Sequence, residues 1–333
     1  MNGWIVLDKP LGLGSTQGVS AVKRALREGG YGKAKVGHGG TLDPLATGVL
    51  PIALGEATKL AGRMLDSDKV YDFTIRFGED TDTLDAEGKV VATSEVRPTQ
   101  AEVQAVLPRF TGAIEQVPPA YSALKVDGER AYDLARAGET VELATRAVTV
   151  HSLVLPKLCL GRGTSEAGGG GRSEAEAGSR PSTTGYAGDP PPQAKLGEDS
   201  SEITLTAHVS KGTYIRSLAR DIARALGTVG HVTYLRRTKA GPFTLADAVS
   251  LDKLAEAAKA RSLEHILLPL RAGLDDIPAL HLTPDQAGAL RQGRVLAGIA
   301  ADDGSHFALL DDVPVALVEV QARHARVVRG FNL

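Results

Sequence analysis

The segment 37–48 has the residue types best suited to chemistry. It contains three glycines ahead of a single carboxylate, Asp43, which is followed directly by Pro44. Glycines allow a ligand to approach the backbone closely, and the proline restricts the direction of the loop. A carboxylate presented in this way can act as a general base or as a nucleophile. The alternative is a structural turn, or an N-cap for a helix over 45–49.

Arg216 is the second candidate. Apolar residues at helical spacing predict a helix over 213–226, and Arg216, Arg220 and Arg224 share one face of it. A solvated face accounts for Arg224. Arg216 instead lies in the first turn, beside Tyr214, where a cation opposes the helix dipole. This position predicts a specific anionic partner, either a carboxylate or a phosphate.

Basic residues are concentrated around both candidates. Residues 1–65 carry eight Lys or Arg against four Asp or Glu, and residues 211–241 carry seven against one. Residues 66–104 carry four against ten, and the whole chain has a formal net charge of −2. If the two basic segments converge, they form a positive cleft that suits a polyanion. The near-neutral total excludes a histone-like protein that binds nucleic acid over its whole surface.

The composition, 42% apolar and 23% charged over 333 residues, is that of a globular protein with one large domain and a small one. Cys159 is the single cysteine, which excludes disulfide frameworks and fits a reducing cytoplasm. No apolar run reaches the ~20 residues that span a bilayer, so we expect no membrane association. Phosphate-loop, nucleophile-elbow and zinc-helix motifs are missing, and the acidic stretch 80–88 lacks the ligand pattern of a calcium loop.

Strands and helices, predicted from the spacing of apolar residues, must position the candidate residues Asp43 and Arg216. Alternating apolar and polar residues predict strands over 70–77, 148–155 and 203–210. Helical spacing predicts helices over 16–28 and after a capping box at 99–102. The elements follow no regular βαβ order. We therefore expect an α+β fold with a central, largely antiparallel sheet flanked by helices.

Two regions depart from this pattern. Residues 161–200 contain ten Gly, five Ser and four Pro, a composition that cannot bury enough apolar surface to offset the entropy of ordering. We interpret this stretch as a disordered insertion between two strands. Near the C-terminus, the β-like runs 306–310 and 315–320 are separated by turns, which predicts a small β-rich domain.

With these segments in this order, the sequence resembles the TruB family, the bacterial tRNA pseudouridine-55 synthases, over nearly the whole chain outside 161–200. Each motif alone is weak, but their order and spacing are specific. The motifs are Val-Leu-Asp-Lys-Pro at 6–10, the glycine-rich loop at 37–44, Leu-Pro at 50–51, Gly-Glu-Ala-Thr-Lys at 55–59, Asp-Lys-Val-Tyr at 68–71, Thr-Asp-Thr-Leu-Asp at 81–85, Pro-Pro-Ala-Tyr-Ser-Ala-Leu-Lys at 118–125, Ser-Lys-Gly-Thr-Tyr-Ile-Arg at 210–216 and Leu-Arg-Arg at 235–237.

The resemblance implies a chemistry that needs neither a metal nor a redox cofactor. Uracil is detached from its ribose, rotated and rejoined through C5. Asp43 matches the nucleophile of the family. Tyr71 matches the tyrosine that stacks on the target base and is a candidate base for the ribose proton. Arg216 matches the arginine that pairs with the nucleophile, and Asp85 matches the second carboxylate of that network.

The resemblance also implies residues that bind the substrate. His38, Tyr214 and Leu235 match positions that contact the flipped nucleotide or fill its space. Lys9 and Lys59 are expected to contact the RNA backbone. The implied partner is tRNA, bound through its T-arm in the cytoplasm without the help of protein partners.

The implied domains are a pseudouridine synthase domain over 1–272, with a thumb-like RNA-clamping segment at 121–150, and a PUA-like RNA-binding domain over 273–333. Gly14 departs from the family, which has a small hydroxyl residue there, and the insertion at 161–200 is not a family feature. The tail is acidic, because residues 275–333 carry five Arg against eight Asp or Glu.

Three alternatives remain at this stage. The first is a synthase that partner proteins guide to other RNAs, against which the complete segment 121–150 argues. The second is an RNA-binding or tRNA-folding factor in which catalysis is secondary, although Asp43, Tyr71 and Arg216 are all present. The third is a nucleotide-binding enzyme that uses the 37–48 loop, but it would lack a phosphate-loop lysine.

Overall fold

The computed structural model describes residues 1–122, 124–126, 128–137, 143–156 and 201–333. The predicted insertion at 161–200, Cys159 and parts of the thumb-like segment 121–150 lie outside the described residues.

A mixed sheet of ten strands forms the centre of the larger domain. The strands up to residue 249 are β1 Gly3–Lys9, β2 Val36–His38, β3 Thr47–Leu54, β4 Lys69–Phe77, β5 Glu79–Thr81, β6 Val90–Thr93, β7 Gly112–Gln116, β8 Lys125–Val126, β9 Glu129–Arg130, β10 Arg146–Val154, β11 Glu202–Val209, β12 Gly230–Ala240, β13 Phe243–Thr244 and β14 Ala248–Val249. The sheet runs β14-β1-β3-β12-β4-β11-β10-β7, with β13 on β12 and β2 on β3. Pairs β1–β14 and β3–β12 are parallel, and the other pairs of this sheet are antiparallel in the described part of the chain.

Helices cover one face of this sheet. The α-helices are α1 Ser15–Glu28, α2 Ala61–Asp66, α3 Gln100–Val106, α4 Ala131–Arg136, α5 Ile215–Ala225, α6 Leu251–Lys259 and α7 Pro284–Arg291. The 3-10 helices are Gly55–Leu60, Leu107–Phe110, Leu245–Asp247, Leu263–Ile266 and Leu270–Leu274. The apolar stripes of α1, α3, α5 and α6 pack on the inward side chains of the central strands and form the main core. Burial of these stripes stabilises the helices, because short helices are only marginally stable on their own.

Local sequence explains where the elements begin and end. In β4, Phe73, Ile75 and Phe77 are buried in the core, as the alternation predicts. Helix α3 begins with the predicted capping box, in which Thr99 and Glu102 each bond the other's backbone N–H. The chain reverses after α5 at Gly227, which has a φ of +72°.

A five-stranded sheet forms the smaller domain. Its strands are β15 Ala279–His281, β16 Leu296–Ala297, β17 Gly304–Leu310, β18 Val313–Gln321 and β19 His324–Gly330, in the order β15-β17-β18-β19-β16. It encloses a core of its own with α7. Phe331 leaves this sheet and packs in a second cluster on β1 and β3, with Trp4 and Leu274. The two domains therefore share a packed interface.

The predicted α+β class, the antiparallel bias of the sheet and the β-rich C-terminal domain are confirmed. The expected domain boundary at 272/273 falls inside the 3-10 helix Leu270–Leu274, which packs with the larger domain through Trp4. Among the described residues, no helix is long and apolar enough to cross a membrane.

Candidate active site

The loop between β2 and β3 presents Asp43 at the edge of the central sheet. It contains a turn in which the N–H of Ala46 donates to the carbonyl of Asp43 over 3.1 Å, so the helix considered for 45–49 is not formed. Gly48 has a φ of +97°, and a Cβ there would lie 2.2 Å from the carbonyl oxygen of Arg237. Only glycine fits this position, because Gly48 in β3 pairs closely with the backbone of Arg237 in β12.

Buried polar groups fix the underside of this loop. The guanidinium of Arg237, 1% exposed, donates to the carbonyls of Gly40, Thr41 and Val49. The hydroxyl of Ser15 donates to the carbonyl of Leu42 over 2.9 Å and accepts from its N–H over 2.7 Å. The backbone around Asp43 is thereby held rigidly while its carboxylate stays 42% exposed.

Lys9 also lies beneath the loop rather than on the surface. It is 0% exposed, and its ammonium donates to the carbonyls of Pro10, Leu13 and Pro44. Burial lowers the pKa of Lys9 to about 8. The expected contact of Lys9 with the RNA backbone does not fit this position, because the ammonium is enclosed by the protein's own carbonyls.

Arg216 joins two carboxylates. Its Nη2 lies 2.9 Å from Oδ2 of Asp43, and its Nη1 lies 3.1 Å from Oδ2 of Asp85. The same guanidinium donates to the carbonyls of Thr83 and Tyr121. Its position in the first turn of α5 is therefore explained by anionic partners, as predicted. Arg216 is 8% exposed and Asp85 is 3% exposed, so this ion pair is little screened by water, whereas the pair with Asp43 is open to solvent on the carboxylate side.

The acidic stretch 80–88 forms the turn that delivers Asp85. Leu84 adopts a φ of +62° and is buried, and Asp85 bridges to Val232 of β12. Oδ1 of Asp85 accepts from the hydroxyl of Thr83 and from the N–H of Glu87. At 3% exposure, this carboxylate is sealed inside the protein. Such strained backbone is maintained where the surrounding structure over-determines it.

Above Asp43 is a pocket of 320 Å³. Tyr71, Tyr214, Leu235 and Arg216 line it together with Asp43. Tyr71 lies on β4, Leu235 on β12 and Tyr214 at the start of α5, so three separate elements meet here. The backbone of Tyr214 is fixed by the side-chain amide of Gln116. Burial raises the pKa of the Tyr214 phenol, which therefore remains protonated at neutral pH.

Besides Lys9, two further expected binding residues lie outside the lining of this pocket. His38 ends β2, and its Nδ1 is buried without a hydrogen-bond partner; burial lowers the pKa of this imidazole. Lys59 pairs with Glu56 over 2.7 Å and donates to the carbonyl of Gly330. Lys59 therefore ties the C-terminal strand to the larger domain.

Three polar residues near Asp43 were not singled out from the sequence. Arg237 braces the loop, and Lys69 lines the pocket while its ammonium bonds the carbonyls that end α2. Glu87 interacts electrostatically with both Asp43 and Arg216, and burial raises its pKa. Lys69 and Arg237 both lie on β-strands at inward positions. A charged residue at such a position was the sequence signal that could have identified them.

Comparison with curated proteins identifies the family. The chain is 60% identical to tRNA pseudouridine synthase B of Novosphingobium aromaticivorans, with 100% of this chain and 98% of that protein aligned. It is 55% identical to tRNA pseudouridine synthase B of Zymomonas mobilis, with 100% and 96% aligned. The chain belongs to the TruB family of pseudouridine synthases. It is accordingly an RNA-modifying isomerase.

Sequence models of the TruB family match two parts of the chain. The "TruB family pseudouridylate synthase (N terminal domain)" matches residues 27–164, and the "tRNA pseudouridylate synthase B C-terminal domain" matches residues 216–275. Together they span the Asp43 loop, the Asp85 turn and helix α5. The second match ends before β15, so the smaller domain lies beyond both.

Solved structures confirm the TruB-like fold. An H/ACA RNP bound to a substrate RNA containing 2′-deoxyuridine aligns with a TM-score of 0.66 at 21% identity, over 99% of this chain and 85% of that one. A Cbf5-Nop10-Gar1 complex aligns with a TM-score of 0.65 at 22% identity, over 99% and 84%. At this identity the likeness concerns the fold, including the C-terminal β domain.

Proposed function

We propose that this enzyme converts uridine 55 in the T-loop of tRNA to pseudouridine, with Asp43 as the nucleophile. The observation that carries the proposal is the ion pair between Arg216 and the half-exposed Asp43 at the pocket. The reaction breaks the N1–C1′ bond, forms a C5–C1′ bond and moves one proton from C5 to N1. No atoms or electrons are gained or lost, so the reaction requires no redox partner.

The pocket supports a mechanism in which the target base leaves its stack. A base inside a folded T-loop must be extruded before a carboxylate can reach its sugar or ring. Tyr71 offers a face on which the extruded uracil stacks, offsetting about 1–3 kcal/mol of lost stacking. Its hydroxyl is the candidate base for the ribose proton, which it must return to the sugar because the product keeps every ribose hydrogen. Leu235 and Tyr214 close the sides of the pocket.

Arg216 and Asp85 have different roles in this proposal. Arg216 stabilises the negative charge of Asp43 and holds its oxygens in one direction, which is pre-organised electrostatic catalysis. Asp85 fixes Arg216 from behind, since its carboxylate is buried and fully bonded. Asp43 is therefore the catalytic residue of the pair, and Asp85 is a positioning residue.

The parts of the chain around the pocket complete the proposal. His38 is partly exposed at the end of β2, and we retain it as a residue that contacts the flipped nucleotide or fills its space. We retain 121–150 as a segment that clamps the T-arm and 273–333 as a PUA-like RNA-binding domain. Arg residues within the otherwise acidic tail supply its phosphate contacts. Lys9 is reassigned from RNA contact to positioning of the loop. We expect the enzyme to act in the cytoplasm without protein partners.

Chemical mapping of pseudouridine in unmodified tRNA tests the proposal. Purified protein alone is incubated with an in vitro transcript, with a transcript that carries cytidine at position 55, and with an isolated T-arm. We expect modification at position 55 of the first and at the equivalent uridine of the third. Modification at other positions, or a requirement for added proteins, would overturn the assigned site or the unaided action.

The nucleophile is tested separately. Asp43→Asn is compared with Asp252→Asn, which makes the same change at an exposed carboxylate on α6. Asp43→Asn should abolish product formation while tRNA binding, measured by filter retention, is kept. Normal turnover by Asp43→Asn would show that the nucleophile is assigned wrongly.

A further inference from the structure

A cluster of metal-ligating side chains lies away from the pocket. Asp68, His151 and His208 each offer a ligand atom, and these three atoms lie within 4.8 Å of one another. It is the one group of three or more such ligands found within the described ranges. The reaction proposed above makes no use of it.

A β-bulge lies at the two histidines, where β10 pairs with β11. The pairing of β10 with β11 shifts between Val150 and Ser152, so His151 is the extra residue of a β-bulge. A bulge changes the direction of the side chain that it carries. His208, on β11 beside the bulge, lies with its ring centroid 4.8 Å from that of His151. The bulge pairs Ser152 with His208 and leaves His151 between that pair and the pair of Val150 with Val209, so the two imidazoles are neighbours across β10 and β11.

The distances match those of a zinc site. Oδ2 of Asp68 lies 3.1 Å from Nε2 of His151 and 3.7 Å from Nε2 of His208. Tetrahedral zinc with ligand bonds of about 2.0–2.2 Å keeps its ligand atoms about 3.3–3.5 Å apart. The two measured distances lie on either side of that range. The ligand atoms of the two histidines lie within 4.8 Å of each other, and rotation of the partly exposed rings changes this third distance.

The cluster is accessible to solvent and lies outside the active-site pocket, on the other side of the sheet. The three side chains are 37–47% exposed, and Asp68 and His208 line a groove of 810 Å³ between the two domains. Asp68 directly precedes Lys69, and His208 directly precedes Val209, which both line the pocket above Asp43. Adjacent residues of a strand face opposite sides of the sheet, so the cluster lies behind the pocket.

We propose that Asp68, His151 and His208 bind one Zn²⁺ ion. Two imidazoles and a carboxylate are a ligand set typical of zinc and its neighbours. A fourth position is left to solvent. The ion joins β10 and β11 to the residue before β4, and so stabilises the part of the sheet that carries Tyr71. Lys239 lines the same groove, and its charge opposes the ion without occupying a ligand position.

Zinc binding to untagged, full-length protein provides the test. After treatment with a chelator, the protein is titrated with ZnCl₂ in competition with a chromophoric indicator, and its melting temperature is measured with and without zinc. We expect one ion per chain and a melting temperature that rises with zinc concentration, since a ligand of the folded state stabilises it. Co²⁺ should give the visible bands of a four-coordinate site.

Substitution of each proposed ligand tests whether the ion binds at this cluster. His151→Ala, His208→Ala and Asp68→Asn should each weaken zinc binding at least about tenfold and remove the rise in melting temperature. The matched control His281→Ala changes an exposed histidine of β15 and should bind zinc as the unaltered protein does. Cys159→Ser should bind normally as well. Zinc binding that is absent, that survives all three ligand variants, or that is lost with Cys159 would overturn the proposal. None of these readouts uses RNA, so they are independent of the proposed function.

Discussion

Two segments deliver a carboxylate to the same arginine, and they are built in opposite ways. The loop that carries Asp43 is fixed from below by Lys9, Ser15 and Arg237 and leaves its carboxylate 42% exposed. The turn that carries Asp85 encloses its carboxylate, which is 3% exposed and accepts bonds from its own turn as well as from Arg216. The two aspartates share a partner but do not share a role.

The two carboxylates differ in burial, and this difference matches the different roles that we propose for them. An exposed carboxylate beside a fixed cation is free to meet a substrate, whereas a buried and fully bonded one anchors that cation. We therefore expect changes at Asp43 to affect mainly the reaction and changes at Asp85 to affect mainly the fold. Each prediction below changes one side of this comparison.

The largest expected effect is on turnover by Asp43→Asn. Loss of a nucleophile should lower kcat by at least about 10⁴-fold, while the free energy of unfolding changes by less than about 1 kcal/mol because the lost ion pair is partly exposed. Single-turnover kinetics and urea denaturation measure the two quantities. A strongly destabilised Asp43→Asn protein would contradict the division of roles.

Asp85→Asn should reduce the stability of the protein much more than Asp43→Asn does. Removing one partner of a buried pair costs about 3–5 kcal/mol of stability, so the urea midpoint should fall far more than it does in Asp43→Asn. Activity should fall too, since Arg216 loses its anchor, and it should partly return at low temperature, where the fold is maintained. Unchanged stability would mean that Asp85 is not the anchor of Arg216.

The buried lysines predict a pH dependence. Burial lowers the pKa values of Lys9 and Lys69 to about 8, whereas an unfolded lysine binds its proton up to about 10.4. The unfolded state therefore holds more protons between these values, and stability rises with pH. From pH 7.5 to 9.5 the free energy of unfolding should gain about 2 kcal/mol for each lysine. Lys9→Met should reduce this rise, and a fall in stability over this range would contradict the burial.

Arg237→Met tests the support beneath the Asp43 loop. The change leaves the carbonyls of Gly40, Thr41 and Val49 without their buried donor, at a cost of about 2 kcal/mol. We expect kcat to fall while KM for tRNA changes little, because the loop carries the nucleophile. An increase in KM alone would indicate a role in RNA binding instead.

Gly14→Ser should give the smallest effect. Gly14 occupies the N-cap of α1, where its N–H donates to Gln17 but no side chain returns a bond. A serine there completes the capping box and should stabilise the protein by a few tenths of a kcal/mol. The φ of −78° permits the side chain, and its Cβ would make only an ordinary contact with Oε1 of Gln17 at 3.4 Å. Differential scanning calorimetry should detect a small rise in melting temperature, and kcat should not change. A lower melting temperature would mean that the serine does not adopt the cap geometry.

The sequence by itself determined the local structure and the chemical candidates. Alternation fixed β4 and β11, helical spacing fixed α1 and α5, and the glycines around Asp43 indicated a loop that presents a carboxylate. A cation in the first turn of a helix opposes the helix dipole, so the position of Arg216 by itself predicted an anionic partner. These inferences succeed because they depend on neighbours within a few residues along the chain.

Tertiary structure alone decided which distant residues meet and which are buried. Asp85 and Arg216 are 131 positions apart, and they meet because β12 pairs with β4 while the Asp85 turn bridges to β12. The burial of Lys9 depends on the loop that covers it, and the proximity of His151 to His208 depends on the register of β10 against β11. Strand register and long-range packing are set by the whole sheet, so the motifs of one segment do not contain them.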